Sequence, residues 1–145
     1  MKFRMIIDQT KPEEVVATVH KPSQLTEELE TLVMQYAGAD YLSAYSDEDL
    51  KFLKFPQIEC ITILDGKTYA IDTHAKHYRV KQRLYELETM LPSFFIRINK
   101  SSLANVHRIE RFTAAFSGAV DAVFKCGYKE YVSRRCFAEI KRRFE

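Results

Sequence analysis

The stretch "FFIRINKSSLANVHRIERF", residues 94–112, decides how this chain reads. Phe95, Ile96 and Ile98 set against Arg97 and Asn99 give the apolar–polar alternation of a half-buried strand. The alternation breaks at Asn99-Lys100-Ser101-Ser102, which predicts an exposed loop crowded with hydrogen-bond donors, and Asn105, His107, Arg108 and Arg111 follow. Lys and Arg neutralise phosphates, Asn and Lys match base edges, and Ser is a short donor to phosphate oxygens. An ordinary polar loop is the simpler account of the same residues on composition alone.

On both sides of that stretch the pattern is short strands and brief turns. "IECITI" and "TYAIDT" flank "LDGK", a hairpin signal because Asp-Gly accepts positive φ, and "LKFLKF" and "HYRV" read as further strands. Val80, Leu84, Leu87 and Leu91 stand at helical spacing ahead of Pro92, predicting a helix over 81–91. "AVDAVFK", the turn "KCGYK" and "EYVS" lead to a closing helix, "SRRCFAEIKRRF". Its expected cap is Ser133, and its expected buried stripe is Phe137, Ile140 and Phe144.

The first 50 residues differ. "KFRMII" and "EEVVATVH" predict a pair of strands. Leu25, Leu29, Leu32, Val33 and Tyr36 mark an amphipathic helix with Ser23 as cap and Gly38 as stop. "ADYLSAYSDEDL" reads as a polar connector. We therefore expect a mainly β (α+β) fold: an acidic N-terminal extension over 1–49 and a β-rich domain over 50–145.

Charge follows the same division. Residues 1–50 hold four Lys/Arg and ten Asp/Glu, a net of −6, whereas residues 51–145 hold eighteen and ten, a net of +8. A basic domain beside an acidic appendage suits a polyanion-binding surface, and a merely solvated basic surface suits the numbers equally. Cys60, Cys126 and Cys136 lack any C-x-x-C spacing and read as small hydrophobes. No apolar run approaches the ~18 residues of a membrane span, and the N-terminus lacks signal-peptide character, so a cytoplasmic location is expected. His74 and His77 have no completing ligand, and no nucleophile elbow, zincin motif or phosphate loop occurs. The expectation is no enzyme, no cofactor, no metal and no small-molecule substrate.

"LPSFFIRINKSSLANVHRIERF", followed about twenty residues later by "EYVSRRCFAEIKRRF", resembles the LytTR DNA-binding domain of bacterial transcription regulators. Pro92, Phe95, Arg97, Lys100, Ser101 and Asn105 fall on one family block, and Tyr131, Ser133, Arg134 and Arg135 on the second. Ala104 is smaller than the family's usual residue. The resemblance implies an elongated antiparallel β fold that reads successive major grooves of double-stranded DNA with loop side chains. It implies base contacts from Lys67, Asn99, Lys100 and Arg135. It implies backbone contacts from Arg97, Ser101, Ser102, Arg108, Ser133 and Arg134, with Lys141, Arg142 and Arg143 as further candidates.

An extension of 50 residues is too short for a phosphoacceptor receiver domain, so the resemblance is to short stand-alone regulators. It implies a homodimer on promoter direct repeats and a small membrane protein as inhibitory partner. From the residues alone, an RNA-binding or protein-interaction module is the competing reading. RNA-binding sheets display aromatics on an open face, whereas the aromatics here fall mainly at inward-looking positions.

Overall fold

The computed structural model describes residues 1–36, 40–114 and 118–145. A long helix α1 (Gln24–Tyr36) precedes strands β1 (Tyr41–Tyr45), β2 (Leu50–Lys54), β3 (Ile58–Leu64), β4 (Lys67–Asp72) and β5 (His77–Arg79). Helix α2 (Leu84–Met90) leads to β6 (Phe95–Asn99), β7 (Ser102–Asn105), β8 (Ile109–Ala114), β9 (Val120–Phe124) and β10 (Lys129–Val132), and α3 (Arg134–Phe144) closes the chain. Seven strands form one antiparallel sheet in the order β2-β1-β5-β4-β3-β7-β6, and β10-β9-β8 form a second.

Two apolar clusters meet at the strands between them. Leu42, Leu53, Phe55, Ile61, Leu84, Leu87, Phe95 and Leu103 belong to one, on the side of the β1–β2 hairpin and α2. Cys60, Ile96, Ile98, Ala104, Phe124, Val132, Cys136 and Ile140 belong to the other, against the small sheet and α3. Neighbouring residues of β3 and β7 thus enter different clusters, so both strands are covered on two faces. That is why "IECITI" reads as a continuous apolar run rather than an alternation.

Local chemistry explains the ends. Asp65 and Gly66 take φ of 52° and 75°, the left-handed pair a two-residue hairpin turn requires. Ser133 caps α3 by accepting from the Cys136 N–H at 3.2 Å. Ser23 accepts from the Thr26 N–H at the start of α1. The expected stop at Gly38 lies outside the described residues.

Four expectations are corrected. Residues 41–45, expected in a connector, form β1, which pairs along its length with β2 and buries Leu42 and Ala44. The strands expected in "KFRMII" and "EEVVATVH" do not form, because neither stretch finds a hydrogen-bonding edge. In α3 the buried pair is Cys136 and Ile140; Phe137 is half-buried, and Phe144, on the last turn, is exposed. The α1 stripe is also largely open, with Leu25, Leu32 and Val33 exposed and Met34 the residue that reaches the core.

Candidate nucleic-acid interface

The strand registers gather cationic positions at one end of the large sheet. Leu64 pairs with Lys67 across the β3–β4 turn. The Val80 N–H donates to Thr68 O at 2.9 Å, which sets Arg79 and Lys81 beside Lys67. On the other side of β3, the Ile63 N–H donates to Ser101 O at 3.0 Å, so the turn carrying Lys100 lies at the same end. β6 is the edge strand, and the Ser133 N–H donates to Ile98 O at 2.9 Å, which fixes the start of α3 next to it. From β5 to the start of α3 there are five strand spacings, about 24 Å at ~4.8 Å each. Along that row Arg79, Lys81, Lys67, Lys100, Arg134 and Arg135 are exposed.

The polar residues of residues 97–102 do a different job. Asn99 is 6% exposed. Its Nδ2 donates to Tyr131 O at 2.6 Å, and its Oδ1 accepts from the Ser101 N–H at 2.7 Å. Arg97 donates from Nη1 to Lys100 O at 2.7 Å and from Nη2 to Glu88 at 2.6 Å. Ser102 is fully buried and shares a 2.8 Å hydrogen bond with Thr62. Glu130 accepts from Asn99 at 3.4 Å and from the Tyr128 hydroxyl, whose ionisation burial and that carboxylate both push up, keeping it a donor. Together these bonds tie the Lys100 turn to α2, β3 and β10, so the turn is held before any ligand arrives.

Two of the expected contacts are therefore withdrawn from the surface. Asn99 and Ser102 are buried and spend their hydrogen-bonding groups inside the protein. Asn99 turns inward because the β6–β7 register shifts between Arg97 and Asn99, so simple alternation fails there. Ser133 spends its hydroxyl as the α3 cap. Arg108 is corrected on position: it lies at the opposite end of β3, where Glu59, fully buried, accepts from its guanidinium and from the Cys126 N–H at 2.9 Å. That ion pair raises the Arg108 pKa and leaves the cation without a free partner-seeking charge. Five residues at about 3.3 Å each separate Glu59 from Leu64, roughly 16 Å.

Sequence reading missed Arg79, Lys81 and Glu59. The register of β5 against β4 could have nominated the first two. A lone Glu inside "IECITI" was the signal for the third. Among the described residues no group of three His, Cys, Asp or Glu could hold a metal ion, and no helix is long and apolar enough to cross a membrane. Cys60 and Cys136 are buried and Cys126 half-buried.

Known proteins resemble this chain. Two Staphylococcus aureus proteins described as HTH-type transcriptional regulators, from strains NCTC 8325 / PS 47 and COL, are each 27% identical over 146 residues. Each match takes in 99% of this chain and 97% of the relative, so it includes the N-terminal part. No two helices follow one another among the described elements, so a helix-turn-helix is not the geometry found here. A solved LytTr DNA-binding domain from Bacillus cereus superposes with a TM-score of 0.64 at 20% identity, covering 71% of this chain and 94% of that one. The family model for the LytTr DNA-binding domain matches residues 48–145, the span that contains the cationic row and its supporting turn. With that match the chain belongs to the LytTR DNA-binding domain family, a family of DNA-binding regulators rather than of enzymes.

Proposed function

We propose that this protein regulates transcription by sequence-specific binding of double-stranded DNA, with the cationic row laid along one side of the duplex. The observation that carries this reading is the alignment of Lys67, Lys100 and Arg135 at one end of the sheet, exposed, with Arg79, Lys81 and Arg134 beside them. A duplex repeats about every 34 Å, and its major groove is about 12 Å wide, so neighbouring major grooves are about 22 Å apart at their near edges. A row of about 24 Å fits that gap and reaches both grooves.

Within the row, Lys67, Lys100 and Arg135 are the base readers, with Lys67 on β4 about 19 Å, four strand spacings, from the start of α3. Arg134, Arg79 and Lys81 hold phosphates, and Ser101, half-buried in the supported turn, adds a short donor. The free N–H groups at the start of α3 favour a phosphate beside Arg134. Arg97 contributes by fixing the turn rather than by touching DNA. Occupation of promoter direct repeats by two copies belongs to the same proposal.

Selection of bound duplexes from a random pool tests it. The wild type should enrich a defined site, and Arg135→Ala and Lys100→Ala should each relax one base position while costing about 1 to 3 kcal/mol. Enrichment without sequence preference, or an unchanged preference in both variants, would overturn the assignment of readers.

A further inference from the structure

Beyond the cationic row, the two flanks of the large sheet are unlike each other. On the β5 flank the β1–β2 hairpin leaves the row at Tyr45, which pairs with Arg79. Its turn is closed reciprocally: the Ser46 N–H donates to Asp49 O at 3.0 Å and the Asp49 N–H to Ser46 O at 3.2 Å. Asp47, Glu48 and Asp49 are exposed there, and Leu50 and Phe52 beside them are 53% and 57% exposed. On the β6 flank α3 lies along the edge strand. The Ser133 N–H donates to Ile98 O at its start, and Arg143 donates to Ser93 O at 3.2 Å near its end. Between α3 and the small sheet is an open cleft of about 430 Å³, lined by Val120, Tyr131, Val132, Phe137, Ala138 and Lys141 and closed at its DNA end by Arg134.

We infer, resting on the DNA reading, that these flanks meet between copies bound side by side: the β1–β2 turn of one copy seats in the α3 cleft of the next. Copies on direct repeats share one orientation, so the β5 flank of one faces the β6 flank of its neighbour, and the contact is heterologous. Charge selects this occupant. None of Asp47, Glu48, Asp49, Lys141 and Arg142 forms an ion pair among the described residues. On the hairpin, Lys51 and Lys54 are engaged by Asp72 at 3.8 Å and Asp40 at 2.9 Å, which leaves the turn acidic. Lys81 and Arg79, the cations nearest the turn, lie over the Tyr45 and Tyr69 rings and belong to the DNA row. Along α3, Arg134, Arg135, Lys141, Arg142 and Arg143 outnumber Glu139 and Glu145, so the helix is basic. The two surfaces also stand at matching depth. Because α3 runs from Ile98 toward Ser93, Lys141 lies about 10 Å along the helix from Arg134, away from the row. Lys51, two residues past the turn, reaches Asp72 at the end of β4 opposite Lys67. Leu50 thus supplies an apolar group for the cleft floor, and the carboxylates meet Lys141 and Arg142 at its rim. Neighbouring sites hold two copies at high effective concentration, so a contact too weak to pair free chains suffices on DNA.

The test is a mobility-shift titration of the full-length protein on duplexes carrying one selected site, or two in the same or inverted orientation spaced by whole and half turns. On same-orientation sites the second wild-type copy should gain roughly tenfold at one spacing and lose that gain when half a turn is inserted. Glu48→Lys/Asp49→Lys and Lys141→Glu/Arg142→Glu should each cut the gain below about twofold. Combining the four substitutions in one chain places opposite charges across the contact again and should restore the gain. All four positions are exposed, so circular dichroism should be unchanged. At about 0.15 M salt, where charges act over about 8 Å, single-site affinity should stay within about threefold. No gain at any same-orientation spacing, an equal gain on inverted sites, paired variants that keep the gain, or a combined variant that stays uncooperative would each overturn the inference. A larger fall in single-site affinity for Lys141→Glu/Arg142→Glu would assign those cations to phosphates and also overturn it. A wild type with no preferred single site would instead overturn the DNA reading, and the contact that rests on it.

Discussion

The two ends of β3 treat positive charge in opposite ways. At the Leu64 end, Lys67, Lys100 and Arg135 are exposed, and the neighbouring polar groups serve to hold the Lys100 turn in place. At the Glu59 end, a buried carboxylate consumes Arg108, and Glu27 on α1 sits 3.1 Å from His107. One strand thus separates a surface that presents cations from one that neutralises them. Net charge alone could not have placed that division, since both ends lie within the basic part of the chain.

The largest effect should come from breaking the neutralised end. Glu59→Ala leaves the Cys126 N–H and the Arg108 guanidinium without their acceptor and should cost about 2 to 3 kcal/mol of unfolding free energy. Arg108 is part-exposed, which holds the cost toward the low end. Chemical denaturation reads it, and duplex affinity at a temperature where the variant is folded should stay at the wild-type level. Asn99→Ala comes next. It removes the bonds to Tyr131 O and the Ser101 N–H, and about 2 kcal/mol of stability together with duplex affinity should fall.

Arg135→Ala sharpens the contrast, because it should lose about 1 to 3 kcal/mol of duplex binding with the melting temperature unmoved. Arg79→Ala and Lys81→Ala should lower the salt slope of binding by roughly one unit each and weaken all sequences alike. The smallest effect belongs to Glu27→Gln, the half-buried partner of the exposed His107, with about 0.5 kcal/mol or less in thermal denaturation. An Arg135→Ala protein that melted lower but bound DNA normally would reverse the roles given to Arg135 and Asn99.

Much of this was legible in the sequence for local reasons. The Asp-Gly turn, the Ser133 cap and the strand on either side of Lys100 depend on neighbours within a few residues. What alternation could not reveal were the irregularities. Register shifts at Arg97/Asn99 and Ile58/Cys60 break the inside–outside rhythm, and it is beside these that Asn99 and Glu59 are buried. A list of polar residues therefore mixed those that meet solvent with those that brace the fold. The strand pattern at residues 1–19 was equally visible, but a strand needs a hydrogen-bonding edge, and none of the described strands pairs with it.

The salt dependence of duplex affinity tests the division most directly when equal charge is removed from each end. Arg79→Ala/Lys81→Ala takes two phosphate-holding cations from the row, and Lys76→Ala/Lys125→Ala takes two exposed cations from the opposite end. The slope of log K against log salt should fall by about 1.8 units in the first protein and stay at the wild-type value in the second. Equal losses in the two, or a larger loss in the second, would contradict a DNA surface at the Leu64 end of β3.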